Sequence, residues 1–316
     1  MKMKAASNRS WGSRIKQIFP FVGLVGVIAF FQIYTHGGVL TAANLKAVFN
    51  EGFYIMIGAT GISFIIAMSN LDFSIGSIMG FCCAITAFAA NGISPYVAPL
   101  AAVVVGVAFG VLNGLIHTKL RVGALIATMS TQMVIAGLLV LMLGGTSLRP
   151  PFAMLRWNTM GLKVGTMIAV VALGWIIFNY TAYGKNCKAI GSCTETARQS
   201  GVNIARTKIL SFAVMGGLAG LLGFFSLIRT GTATVLTGSD LYVNVLCAAL
   251  LGGLPLMGGA AANFRSVVIG SATMAFLTNG MILMSLSTYD MQLVKGIIFL
   301  ITIAISFDRR NLRVIK

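Results

Sequence analysis

Long apolar runs separated by short polar connections dominate the chain. A membrane-spanning helix needs roughly 20 mainly apolar residues, and by that rule the pattern predicts about ten spanning segments. They cover residues 18–35, 46–68, 75–92, 95–117, 123–144, 162–181, 208–228, 241–257, 266–285 and 290–307. The second, third and eighth segments are rich in Gly and Ser, which favours broken or re-entrant helices. An eight-helix arrangement that omits 75–92 and 241–257 is an open alternative.

The composition assigns the chain to a class. Hydrophobic residues make up 57% of the 316 residues and charged residues only 9%, whereas a soluble domain carries about 25% charged residues. The mean hydropathy is +0.92. We therefore expect an all-α polytopic membrane protein with eight to ten spanning helices. The basic stretch before residue 18 precedes a run that approaches spanning length, which favours an uncleaved first helix over a removed leader.

The basic residues are distributed unevenly between the two sides predicted by ten crossings. Of the 23 Lys and Arg residues, 17 fall on the side shared by both termini, five fall on the other side, and Lys295 lies inside a segment. Because cytoplasmic loops collect Lys and Arg, we expect both termini and the loop 182–208 in the cytoplasm. The predicted organisation is a tail at 1–17, a transmembrane domain at 18–308 and a tail at 309–316. The same bias explains the net charge of +17 without a nucleic-acid partner.

Catalytic and metal-binding motifs are missing from the sequence. There is no G-x-x-x-x-G-K-[ST] phosphate loop, no G-x-S-x-G elbow and no H-E-x-x-H helix. The chain has only six carboxylates and two histidines, and its five cysteines include no C-x-x-C spacing. We therefore expect neither an enzyme nor a cofactor or metal site in this chain.

The longest polar run of the chain extends from Tyr183 to Lys208. Ser192 and Glu195 have the spacing of a capping box, which predicts a short helix that continues through Ser200 and stops at Gly201. Arg198 lies three residues after Glu195, so the two side chains are expected to pair. An ordinary solvated loop helix and a helix that docks a partner protein both fit this pattern.

Several stretches, taken in order, resemble a known family. They are Asn70-Leu71-Asp72-Phe73-Ser74-Ile75-Gly76-Ser77, Leu112-Asn113-Gly114-Leu115, Ile126-Ala127-Thr128, Ala189-Ile190-Gly191 with Glu195, Ala197-Arg198 and Ser200-Gly201, Arg229-Thr230-Gly231, the pairs Gly252-Gly253 and Gly258-Gly259, and Asn279-Gly280. Together they are similar to the permease subunits of ABC importers of the ribose/galactose type, over about residues 20–308. The similarity is broken at Tyr242-Val243-Asn244, where the family commonly has Glu-Leu-Asp and the nearby acid here is Asp240.

The resemblance implies a function and a set of partners. The chain would translocate a monosaccharide, driven by a separate cytoplasmic ATPase that binds ATP and Mg²⁺, and an extracytoplasmic binding protein would deliver the solute. The pore would form with a second copy or with a sister permease in the cell membrane. A nucleoside or other polyol-bearing solute is an alternative, as is an ATP-independent transporter or channel. The residues implied to couple to the ATPase are Gly191, Ser192, Glu195, Ala197, Arg198 and Gly201.

Polar residues within or beside the apolar segments are candidates for a translocation path. A carboxylate at membrane depth is costly unless it faces water or a partner, so Asp72 is a functional candidate, although capping of the following helix also explains it. Interhelical hydrogen bonding is an alternative for the polar residues inside segments. The candidate path residues are Asp72, Ser74, Asn113, Thr128, Gln132 and Asn279.

Overall fold

The computed structural model of the chain describes residues 3–306, and the regular elements within that range are helices. Ten of them correspond to the ten predicted segments. These are α1 (Met3–Tyr34), α2 (Ala42–Ala67), α3 (Ile75–Gly92), α4 (Ala98–Lys119), α5 (Ala124–Leu143), α7 (Met160–Tyr180), α10 (Ile204–Thr230), α11 (Leu241–Leu251), α12 (Arg265–Leu283) and α13 (Thr288–Ser306). The short helices are α6 (Phe152–Leu155), α8 (Ala182–Ser192) and α9 (Thr194–Gln199), with a 3₁₀ turn at Gly259–Ala261.

Seven helices in the described range are long and apolar enough to cross a membrane, and Pro20–Tyr34 and Leu241–Leu251 are shorter apolar helices. At 1.5 Å rise per residue, about 20 residues cross the hydrocarbon core. The all-α polytopic prediction is therefore confirmed. Helix α1 begins at Met3, so the backbone of the predicted tail 1–17 is helical from that residue.

The eighth predicted segment is broken, as its glycines indicated. Helix α11 ends at Leu251, and Gly253 adopts a positive φ of 87°. The Gly253 N–H donates to Leu250 O at 2.8 Å, and the Leu254 N–H donates to Ala249 O at 3.0 Å. These two bonds form a Schellman motif, the usual way to end a helix with glycine at that position. The second and third segments, by contrast, are the continuous helices α2 and α3.

Glycine contacts define one face of the bundle, which we call the α8–α9 face. A Cβ on Gly191 of α8 would collide with Ala67 O at the end of α2 and with Gly259 N. The same face therefore holds the end of α2, the connection between α11 and α12, and the start of α10. Helix α1 runs parallel to α12, because Pro20 lies against Gly253 and Phe31 packs on Gly280. Helix α1 thus starts on the α8–α9 face, and α12 ends on the opposite face.

Small residues bring the central helices together. A Cβ on Gly106 of α4 would collide with Gly216 O of α10, and one on Gly110 would collide with Phe212 O. Such small-residue contacts allow membrane helices to approach closely and gain van der Waals packing. Most residues in the apolar stretches of α2, α3, α10 and α12 are buried, whereas fewer than a third are buried in those of α4, α5 and α7. The described bundle therefore has a central layer of four helices with an outer layer beside it.

Candidate functional site

Helix α9 projects from the α8–α9 face as a short polar helix. Arg198 Nη2 donates to Glu195 Oε2 at 2.5 Å, and both side chains are exposed. The Gly201 N–H donates to Arg198 O, the Val202 N–H donates to Ala197 O, and Gly201 has a φ of 82°. This Schellman motif confirms the predicted stop at Gly201, and the bond between Arg198 and Glu195 confirms the predicted pairing.

The predicted capping box is wrong. Ser192 is the last residue of α8, and the N-cap of α9 is Cys193. The Ser192 hydroxyl donates to Lys188 O at 3.0 Å and accepts from the Ala260 N–H at 3.0 Å. Because α8 continues to Ser192, its hydroxyl is used to join α8 to the 3₁₀ turn instead of capping α9.

Four of the predicted coupling residues have different surroundings from one another. Glu195 and Arg198 are exposed, whereas Ala197 is 3% exposed and packs into the core. Gly191 lies against the backbone at the end of α2. The exposed pair is thus available to a partner, and the other two residues hold the loop on the membrane bundle.

Helix α8 attaches the loop to the bundle. The Tyr183 and Ser211 hydroxyls are 2.5 Å apart, and Ser211 lies on α10. Cys187 is fully buried on the same face of α8, and burial raises the pKa of its thiol to about 11. Gly184 packs directly on the Phe178 carbonyl of α7. A displacement of α9 would therefore pass through α8 to α2, α7 and α10.

Four of the predicted path residues form a second cluster, at the start of α3. Asp72 Oδ1 accepts from the Ser74 N–H at 2.8 Å and from the Ser74 hydroxyl at 2.6 Å. Asn113 of α4 donates to Ser74 Oγ at 2.7 Å, and Thr128 Oγ1 of α5 accepts from the Phe73 N–H at 3.2 Å. All four predicted residues are almost fully buried. In this conformation the cluster joins the start of α3 to α4 and α5, with Asp72 satisfying the N–H of the α3 N-cap residue.

The other two predicted path residues lie elsewhere. Gln132 is half-buried, one turn after Thr128 on α5. Asn279 is buried near the end of α12, where its Oδ1 accepts from Asn44 Nδ2 of α2 at 2.7 Å. The structure therefore brings together Asp72, Ser74 and Asn113 with Thr128, and separates Asn279 from them.

Charged residues that the path prediction omitted surround a cavity of about 210 Å³. It lies between α2, the end of α10, the segment 231–240 and the start of α11, and its lining includes Glu51, Tyr54, Arg229, Asp240 and Asn244. Two of the six carboxylates of the chain are among them. The scarcity of carboxylates in so apolar a chain was the signal that could have directed attention to these residues.

Glycine contacts hold the segment 231–240 against α3. Gly238 has a φ of 85°, and a Cβ on it would collide with Gly76 O of α3. A Cβ on Gly80, one turn further along α3, would collide with Thr237 O. The segment thus folds back against α3 instead of staying at the end of α10, and this places Asp240 beside Arg229 in the cavity wall.

Comparison with known proteins gives the family. A family model described as the permease component of a branched-chain amino acid transport system matches residues 44–305. The chain belongs to this permease family. The permease is 26% identical over 313 residues to the ribose import permease protein RbsC of Escherichia coli (strain K12), covering 94% of each chain.

A second relative is named for a different solute. The permease is 26% identical over 308 residues to the autoinducer 2 import system permease protein LsrC of Yersinia pseudotuberculosis serotype O:3 (strain YPIII), covering 94% of the permease and 85% of the relative. No solved structure matches the permease. Family membership and the apolar helices make the chain a multi-pass membrane permease.

Proposed function

We propose that the permease is the membrane subunit of an importer that carries a monosaccharide of the ribose or galactose type into the cell. A separate ATPase subunit supplies the energy in this proposal. The family match and the ribose and autoinducer 2 import permeases support it. Neither the family nor these relatives favours the ATP-independent transporter or channel that the sequence left open.

One observation carries the energy-coupling part of the proposal. The exposed Glu195–Arg198 pair lies on a helix whose neighbouring residues, Gly191 and Ser192, contact the end of α2 and the connection between α11 and α12. A protein that binds α9 is therefore mechanically linked, through α8, to the end of α2 and to the α11–α12 connection. Interfaces of packed helices convert such small displacements into discrete rearrangements.

The remaining partners are assigned to the two sides of the membrane. The α8–α9 face is assigned to the cytoplasm because the basic residues concentrate on the side of loop 182–208. ATP and Mg²⁺ would bind to the ATPase, and an extracytoplasmic binding protein would meet the opposite face. A second permease copy or a sister permease would complete the pore. The tails 1–17 and 309–316 would share the cytoplasm with the ATPase.

The path residues keep their proposed role in a restricted form. Asp72, Ser74, Asn113 and Thr128 form one hydrogen-bonded cluster between three helices. Such a cluster reaches a solute when the helices separate during transport. Gln132 and Asn279 are kept as candidates on the same polar-side-chain argument and lie apart from this cluster.

The test is partner-dependent uptake. The permease is purified with its cognate ATPase, reconstituted into liposomes with the cognate binding protein, and assayed for ATP-driven uptake of D-ribose and D-galactose. We expect Glu195→Gln and Gly201→Val to weaken ATPase binding and reduce uptake. Asp290→Asn, which neutralises an exposed carboxylate at the start of α13, is the matched control and should behave as wild type. Uptake without the ATPase would overturn the proposal.

A further inference from the structure

The cavity beside the end of α10 contains a partly desolvated ion pair. Arg229 Nη2 donates to Glu51 Oε1 at 2.6 Å, and the two side chains are 34% and 27% exposed. The Arg229 guanidinium also lies over the Tyr54 ring, 5.1 Å from its centre. A guanidinium has five N–H donors and a carboxylate has about four acceptor sites. The pair therefore retains hydrogen-bonding capacity toward the cavity.

One further polar group of the cavity lining lacks a partner among the described residues. Asn244 Oδ1 is buried and accepts no hydrogen bond there. Lys295 is 6% exposed and has no carboxylate within 4.0 Å in residues 3–306, although Asp240 and Glu51 lie close enough to interact with it electrostatically. Asp240 Oδ1 accepts from Gln292 at 3.2 Å. Buried polar groups are normally satisfied, so the Asn244 amide oxygen in the cavity lining is a candidate acceptor for a ligand.

The wall chemistry restricts what that ligand is. Glu51, Asp240 and Arg229 line the cavity, and Lys295 lies close enough to interact electrostatically with both acids, so the charges nearly cancel and a solute with a net charge gains little. The carboxylate of an amino acid only accepts hydrogen bonds and its ammonium only donates them, so each of these groups uses only part of the mixed wall. A sugar hydroxyl both donates and accepts, so one ring can contact the acids, Arg229 and the Asn244 amide at once. Sites for drug-sized ligands hold roughly 300–1,000 Å³, and the smaller cavity here suits a small solute.

We propose that this cavity is a binding site for a small, uncharged polyhydroxylated solute on its way through the permease, with Glu51, Arg229, Asp240 and Asn244 as the recognising groups. This inference rests on the proposed function, which it deepens by assigning a site. The site lies on the side of the bundle opposite α8 and α9, where a delivered solute would arrive. Several moderate hydrogen bonds suit a transport site, because the solute must also leave it.

Direct binding tests the site without requiring transport. The permease–ATPase complex, in detergent and without the binding protein, is titrated with D-ribose, D-galactose, sorbitol and leucine, and binding is followed by the shift in Tm. We expect at least one polyol to bind and leucine to bind more weakly. Asp240→Asn and Asn244→Leu should each weaken binding of that polyol about tenfold or more, because the first removes the charge of an acceptor and the second removes a buried acceptor. Asp290→Asn is the control with the same charge change and should bind normally.

The outcomes separate this inference from the proposed function. Unchanged polyol binding in both variants, absence of polyol binding to wild type, or preferential binding of leucine overturns the site. If the wild type takes up a sugar and both variants take it up equally well, the assignment of the site is wrong and the proposed function stands. Failure of ATP-driven sugar uptake in wild type overturns the proposed function. Size-exclusion profiles and Tm values without solute show that each variant is folded.

Discussion

The Ser192 hydroxyl of α8 accepts a hydrogen bond from the Ala260 N–H at 3.0 Å, across 68 residues of sequence. This bond joins the segment that carries α9 to the connection that follows the broken helix α11. Beside it, Gly191 packs on the backbone of Ala67 and Gly259. The loop that we propose to dock the ATPase is therefore in contact with two places where spanning helices end.

Removing the Ser192 hydroxyl should weaken coupling more than folding. Ser192→Ala eliminates the link to Ala260, and because that region is exposed, water replaces the lost partner at a cost of about 1 kcal/mol. We expect ATPase binding to persist and ATP-driven uptake to fall several-fold. Thr194→Ala is the control, since Thr194 also donates to the carbonyl four residues earlier but has no bond to the 3₁₀ turn. Equal uptake in the two variants would contradict the link.

Gly191 should tolerate no side chain. In Gly191→Ala, the new Cβ collides with backbone atoms of Ala67 and Gly259, which cannot move aside as a side chain does. We expect a loss of about 2 kcal/mol or more in the free energy of unfolding, measured as a lower Tm of the purified permease. Gly165→Ala on α7 makes the same change where no atom lies within 4 Å, and should be neutral or slightly stabilising.

Two buried threonines on α5 allow the stability contributed by a hydrogen bond to another segment to be measured separately from that contributed by burial. Thr128 and Thr131 each donate to carbonyls of their own helix, and Thr128 also accepts from the Phe73 N–H. We expect Thr128→Val to lower the free energy of unfolding by about 1 kcal/mol more than Thr131→Val, because it leaves the Phe73 N–H without its acceptor. Denaturation of the two variants in the same detergent measures the difference. Equal values would contradict the contact.

Thiol labelling tests the orientation of the α8–α9 face. In a Cys193→Ser background, we expect an impermeant maleimide to label Thr196→Cys in inverted vesicles and not in intact cells. Cys187 should stay unlabelled near pH 8 in both, because its thiol is buried and its pKa is raised to about 11 by desolvation, which keeps it protonated. Denaturation should then expose Cys187 to the reagent. Labelling of Thr196→Cys in intact cells would place the face outside.

Within loop 182–208, the successful and the failed predictions differ in how far apart in sequence the bonded residues are. The Glu195–Arg198 pair and the stop at Gly201 depend on residues within one or two helical turns, and both are confirmed. The capping role of Ser192 failed because its hydroxyl bonds instead to Ala260, which is remote in sequence. A local sequence pattern specifies hydrogen bonds between nearby residues. It contains no information about a residue far along the chain that binds the same hydroxyl.

The polar residues of the membrane segments show the same limit. Their sequence positions marked Asp72, Asn113 and Asn279 as unusual, and the structure shows that the first two meet through Ser74 while Asn279 pairs with Asn44. The cavity around Glu51, Arg229 and Asp240 was missed as a site because its walls come from separate helices. The glycine contacts of segment 231–240 with α3 bring those walls together.

The sequence by itself determined the all-α membrane class, the approximate positions of the apolar segments and the short polar helix ahead of Gly201, whereas the structure showed that, of the three Gly- and Ser-rich segments, the eighth is the broken one, after Leu251. Hydropathy, glycine conformation and capping act over one or two turns, so the order of residues is enough to specify them. Tertiary structure alone decided which polar groups meet, that Ser192 joins α8 to the α11–α12 connection, and that a charged cavity lies beside Arg229. Those contacts depend on how each helix is rotated and how closely its glycines let neighbours approach, and both are set by packing between residues far apart in the chain.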